Sequence, residues 1–277
     1  MKNYYKDVVK NFGKEWTKFD YLGVKNEQLE KIYKSYFKIF PWDLINPTSS
    51  IGIDIGCGTG RWAKFTADKV KELLVLDASE QALNIARKNL QENNNVKFFN
   101  QSVGKIELRD NSLDFAYSLG VLHHIPDIKS ALIEINRILK PKAPLLLYLY
   151  YNFDNKPIYY RLIWLLTEPF RLVISLLPFK IKFFITQLIA LLVYFPLARV
   201  CRILKFFKIP IGNFPMNQYS DKSFYIMRTD ALDRFGTKVE KRFSKKEIYN
   251  LLKESNFEDI QFSEDPPYWC CVAKKIK

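Results

Sequence analysis

The run Ile53-Asp54-Ile55-Gly56-Cys57-Gly58-Thr59-Gly60 sets an acid and three alternate glycines within one short stretch. An apolar run ending in such glycines lets the backbone bend tightly and approach a ligand closely, because no Cβ intrudes. A helix following that bend would present unpaired N–H groups to the same ligand. A dinucleotide loop would read G-x-G-x-x-G, but Arg61 holds its last position. A phosphate loop would need Gly-Lys-Ser/Thr, which does not follow. Asp77 closes the next apolar run, seventeen residues after Gly60. A carboxylate there can accept hydrogen bonds from both hydroxyls of a ribose. His123 and His124 are the only histidines. Imidazole titrates near neutrality, so either could act as a general base; tying their loop by hydrogen bonds is the competing role. Tyr148, Tyr150, Tyr151 and Asp154 follow a later apolar run, and Tyr150 joins the two histidines as a catalytic candidate.

The elements needed to position these groups are legible between Ile51 and Tyr150. Strands are expected at Ile51–Ile55, Leu73–Leu76, Val96–Phe99, Leu113–Ser118 and Leu145–Tyr150. Helices are expected at Arg61–Lys69, Glu80–Gln91 with Ser79 as N-cap, and Ile128–Leu139. The rhythm resumes near Ser244, where Ser244 and Glu247 have capping-box spacing, and strands are expected at Phe257–Phe262 and Tyr268–Ala273. Alternation of this kind predicts an α/β fold, a mostly parallel doubly wound sheet covered on both faces. The domain reading is an N-terminal helical segment over 1–50, an α/β core over 51–150, a helical insert over 151–235, and a closing segment over 236–277.

The acid-x-Gly-x-Gly-x-Gly run, Asp77, Asn111-Ser112-Leu113-Asp114-Phe115, Leu119-Gly120-Val121-Leu122-His123-His124-Ile125 and Leu139-Lys140-Pro141-Lys142 together resemble the class I S-adenosylmethionine-dependent methyltransferases, in particular the branch acting on small molecules and lipids. The resemblance covers about residues 50–150, and 244–274 more loosely. It implies a seven-stranded sheet of order 3-2-1-4-5-7-6 with the seventh strand antiparallel. It also implies S-adenosylmethionine as cofactor, with Asp54, Gly56, Cys57, Gly58 and Gly60 around its methionine part and Asp77 and Ala78 at its ribose. Ser102, Val103 and Leu119 would complete the cofactor set. The family often has an acid after strand three; here Ser102 stands there, which leaves adenine to its hydroxyl and the Val103 backbone. Phe12-Gly13-Lys14-Glu15-Trp16 is read as a lid or as an ordinary packed helix.

Asp265-Pro266-Pro267-Tyr268 resembles the tetrapeptide with which adenine amino-methyltransferases grip their base, but theirs ends strand four. Here that place belongs to Ser118-Leu119-Gly120-Val121. The prolines instead suit a turn between the last two strands.

Lys and Arg number 43 against 29 acids, a net charge of +14, which favours anionic partners. From Lys156 to Lys208 nine basic residues face one acid, Glu168, within a stretch rich in Leu, Ile, Phe, Trp and Tyr. Its longest uncharged run, Phe183 to Ala198, holds sixteen residues with Thr186, Gln187 and Pro196 among them, which reads as too short and too interrupted to span a bilayer of roughly 20 residues. Three roles suit the insert: a cap over a bulky apolar acceptor, a platform on an anionic membrane, or a homodimer surface. Arg161, Tyr219, Arg228 and Asp233 could add polar contacts from it. Cys57, Cys201, Cys270 and Cys271 form no framework, and no spacing suggests a metal site. A reduced cytoplasmic protein is expected, peripheral at the inner membrane face if the insert touches lipid; the first residues do not resemble a signal peptide. The expected activity is methyl transfer to a small, lipid-like or amphiphilic acceptor. An RNA methyltransferase and a non-catalytic cofactor-binding scaffold are the alternatives. Basic residues interleaved with aliphatics, and no recognisable RNA-binding signature, weigh against nucleic acid.

Overall fold

A computed structural model describes residues 4–277. Seven strands form one sheet: β1 (Ile51–Ile55), β2 (Glu72–Asp77), β3 (Val96–Asn100), β4 (Phe115–Leu119), β5 (Pro144–Tyr148), β6 (Phe257–Phe262) and β7 (Cys270–Lys275). Their order is β3-β2-β1-β4-β5-β7-β6, as expected. Neighbours run parallel except β7, which is antiparallel to both β5 and β6. The helices are α1 (Lys6–Lys18), α2 (Asn26–Tyr36), α3 (Ala63–Ala67), α4 (Glu80–Asn89), α5 (Ile128–Ile138), α6 (Ile158–Leu176), α7 (Phe179–Ile189), α8 (Phe195–Phe206), α9 (Phe224–Gly236) and α10 (Lys245–Glu254).

The central strands β1, β2, β4 and β5 are buried on both faces because helices cover both, as in a sheet built from crossover connections. Ile53 and Ile55 of β1 pack with Ile128, Leu132 and Ile135 of α5 and Leu252 of α10. Leu73 and Val75 of β2 pack on the opposite side with Tyr33, Ala63, Leu83 and Ala86. The helix ends carry the chemistry the sequence predicts. The Ser79 hydroxyl accepts from the Ala82 N–H, and Ser244 with Glu247 closes a reciprocal capping box.

Several boundaries move. Helix α3 is only five residues, since the turns before it are spent in the glycine bend. β5 ends at Tyr148, which leaves Tyr150 and Tyr151 beyond the strand. Asp265 to Tyr268 lies in the connection between β6 and β7, where the turn was expected. All four cysteines are free and buried.

Residues 1–151 and 241–277 make one compact unit and 152–240 another. The second unit overturns the expectation of an interrupted run. Phe179 to Phe206 is one continuous helix of 28 residues, mean hydropathy 1.9 in its most apolar stretch, long and apolar enough to cross a membrane by length and composition alone. Pro196 does not break it. A proline ring clashes with the carbonyl four residues back and offers no N–H. A π-helical segment, Ala190–Tyr194, widens the helix at that place and re-registers the carbonyls.

Candidate functional site

The bend after β1 is built from three residues in left-handed geometry, Gly56, Gly58 and Gly60, with φ of 76°, 55° and 75°. L side chains rarely adopt such angles. Space forbids a side chain as well. A Cβ on Gly56 would lie 2.4 Å from Val121 Cγ1, and one on Gly60 2.8 Å from Leu90 Cδ1.

Asp77, at the end of β2, ties this bend to its own turn. Its Oδ2 accepts the Gly58 N–H at 2.9 Å, and its Oδ1 accepts the Ser79 N–H at 2.8 Å. Burial raises its carboxyl pKa, and these backbone donors pull it back. Asp54 pairs in register with Val75 on one side and Tyr117 of β4 on the other. It is 2% exposed, and its Oδ2 has no hydrogen-bond partner among the described residues. Burial, with the Asp77 charge adding to it, pushes the Asp54 carboxyl up to about 8 against the opposing Tyr117 hydroxyl and Arg61.

A cleft, partly open to solvent, lies over the strand ends. Among the residues proposed from sequence, Gly56, Asp77, Ala78, Ser102, Val103 and His124 line it. Asp54, Cys57, Gly58, Gly60, Leu119, His123 and Tyr150 are not in its lining. The Ser102 hydroxyl accepts the Gly104 N–H at 3.3 Å. The two histidines part company. His124 reaches the cavity, 4.9 Å from the Phe12 ring between centroids. His123 is fully buried, stacked on Tyr150 at 3.8 Å, and neither of its nitrogens has a hydrogen-bond partner among the described residues. Burial, with His124 and Arg242 adding to it, holds its pKa well below the usual value, so its ring stays neutral.

The stretch Phe12 to Trp16, read from sequence as a lid or an ordinary packed helix, supplies one wall. Phe12 and Trp16 of α1 line the cavity together with Tyr4, Tyr5, Val8 and Val9. Gly13 makes their approach feasible, since a Cβ there would meet Gln81 Oε1 at 2.5 Å and Ser79 Oγ at 2.7 Å, at the start of α4. Arg61 secures the same end of α1, its guanidinium 5.2 Å from the Trp16 ring, 4.5 Å from Tyr21 and 4.7 Å from Trp62. Sequence left the lid and the packed helix open because Ser79, Gln81 and His124, which meet this stretch, lie far along the chain.

The strand order, the glycine bend and the acid ending β2 coincide with a match of residues 53–147 to the family model described as Methyltransferase domain. The α/β core has the class I methyltransferase fold. Demethylmenaquinone methyltransferase of Staphylococcus haemolyticus is 29% identical over 133 residues, covering 45% of this chain and 56% of its own. The enzyme of that name from Staphylococcus aureus is 33% identical over 92 residues, covering 32% and 38%. The chain thus spans about half, or less, of the curated relatives it matches. A solved S-adenosylmethionine-dependent methyltransferase of Methanosarcina mazei superposes with a TM-score of 0.50 at 17% identity, over 86% of this chain and 98% of its own. At that identity the likeness extends to the methyltransferase fold alone.

Proposed function

We propose that the methyltransferase core binds S-adenosylmethionine and transfers its methyl group to a small, amphiphilic acceptor. One observation carries this reading: the Gly56 bend, Asp77, Ser102 and His124 line a single cleft over the strand ends. One observation of the residues fits the cofactor. The enclosed Asp54 Oδ2 lacks a partner among the described residues, as expected of an acid that awaits a cationic or N–H-bearing ligand.

In this proposal Asp54, Gly56, Cys57, Gly58 and Gly60 hold the amino-acid part of the cofactor. Asp77 holds the ribose: each of its oxygens already accepts one backbone N–H and retains a lone pair for a hydroxyl. Ala78, Ser102, Val103 and Leu119 flank the remainder. The sulfonium supplies the activated methyl group when bound. The protein's share is alignment and exclusion of water, to which Phe12 and Trp16 contribute as cavity walls. Where the acceptor must first lose a proton, His124 is the group at the cavity to take it. His123 and Tyr150 act behind it, as a stacked support. The mainly apolar lining and the relatives named for demethylmenaquinone support an apolar or amphiphilic acceptor.

Titration calorimetry with S-adenosylmethionine, then a methyl-release assay over cell-extract fractions, tests the proposal. Saturable binding with turnover on a metabolite or lipid fraction is expected. No binding would refute it, turnover abolished by ribonuclease would transfer it to RNA, and binding without turnover on any fraction would leave a scaffold.

A further inference from the structure

Helices of a water-soluble unit bury their large apolar side chains and expose their polar ones. Two helices of the second unit, α6 and Phe179–Phe206, depart from this. Along the Phe179–Phe206 helix the buried row is Lys182, Thr186, Ala190, Tyr194, Ala198 and Cys201, spaced at one turn. The opposite row, Ile181, Phe184, Leu188, Leu192 and Phe195, is exposed, with Leu192 at 68% and Phe184 at 63%. α6 repeats the pattern: Arg171 and Ser175 are buried beside Ile174, while Leu166, Phe170, Val173 and Leu176 are exposed. The inward polar groups are satisfied within the unit. Lys182 Nζ donates to the Gly236 carbonyl at 2.8 Å, and Arg171 Nη1 to the Thr237 carbonyl at 2.9 Å. Polar atoms are thus spent on internal bonds, and rows of large apolar side chains are left exposed on both helices. A surface of that kind marks an interaction site.

We propose that this surface seats in the headgroup and upper acyl region of an anionic lipid bilayer. Two observations select that partner. The exposed basic residues Arg161, Lys180, Arg202 and Lys208 belong to the same helices and the turn that follows them, and supply the charge an anionic headgroup layer complements. On its other side the long helix packs on α9, where Arg228, Asp230, Asp233 and Arg234 are half-buried. With that side occupied by protein, the exposed row alone is available to lipid, and the proposal lays the helix along the interface although its length would let it cross. The proposal is independent of the chemistry assigned to the α/β core.

Flotation of the whole protein with vesicles tests it. At low salt the protein is expected to float with vesicles containing phosphatidylglycerol, and to be released by high salt or by phosphatidylcholine alone. The double substitution Phe184→Glu and Leu192→Glu lies on the exposed face and should leave the melting temperature as it is. It should lower vesicle partitioning by about 100-fold or more, since two large apolar groups leave lipid and two charges enter. The triple substitution Lys180→Gln, Arg202→Gln and Lys208→Gln, which leaves the apolar face intact, should weaken binding to the acidic vesicles alone. No flotation on either vesicle at low salt overturns the proposal, as does unchanged partitioning of the double variant. A dimer in light scattering that the double variant dissolves, without vesicle binding, overturns it in favour of a second copy of the chain.

Discussion

Asp77 accepts the Gly58 amide through Oδ2 at 2.9 Å, so the acid ending β2 is bonded to the centre of the glycine bend that follows β1. The bond joins two neighbouring strand ends and orients the carboxylate before any ligand arrives. Replacing Asp77 therefore removes a ligand contact and a loop restraint together. Asp77→Ala is expected to weaken S-adenosylmethionine binding by about 1–3 kcal/mol in titration calorimetry, the cost of losing charge-assisted hydrogen bonds. Affinity equal to the parent's would remove Asp77 from the ribose.

The glycines differ in what a methyl group would meet, and this separates strain from crowding. Gly56 and Gly120 share a φ of 76°. A Cβ on Gly56 strikes Val121 at 2.4 Å, whereas on Gly120 the nearest atom is Tyr148 Cδ1 at 3.9 Å. Gly120→Ala should cost about 1–2 kcal/mol of stability from backbone strain alone. Gly56→Ala should cost about 1–3 kcal/mol beyond that from overpacking. Denaturant melts giving equal losses would show that Val121 yields freely.

Asp54 leads to a pH prediction. Its folded pKa, about 8, lies above that of an unfolded aspartate. Between the two values the unfolded chain has released the proton and the folded chain keeps it, so the group makes stability fall as pH rises from about 4 to 8. Asp54→Asn should abolish that slope and gain most above pH 8, an effect on the order of several kcal/mol given complete burial. Parallel stability profiles for parent and variant from pH 4 to 9 would contradict the assignment. Cofactor binding should weaken in the same variant.

The two histidines are expected to answer differently to substitution. His123 carries two buried nitrogens without hydrogen-bond partners among the described residues, and it stacks on Tyr150. His123→Phe keeps the stack and removes the desolvated nitrogens, so thermal stability should hold or rise. His124→Gln, at the cavity, should lower methyl transfer by about 10²–10⁴-fold if the acceptor is deprotonated in the reaction. A greater loss of turnover from His123→Phe than from His124→Gln would reverse their roles.

What was legible in the sequence was whatever local chemistry enforces. Glycines at 56, 58 and 60 are demanded by backbone angles few other residues adopt, and apolar runs of strand length between amphipathic helices dictate a covered parallel sheet. Ser79 and Ser244 announce helix starts because a cap bonds within its own turn. Tertiary structure decided the matters that depend on distant partners. It placed Phe12 and Trp16 on the cavity because Gly13 lets α1 press against Ser79 and Gln81. It turned His124 towards the cavity and His123 away from it, a choice that two adjacent identical residues cannot encode. It also carried the helix through Pro196, because the π-helical turns at Ala190–Tyr194 absorb the ring. Local preference sets the backbone angles of each element, whereas the site arises from packing between them, and packing is a property of the folded chain.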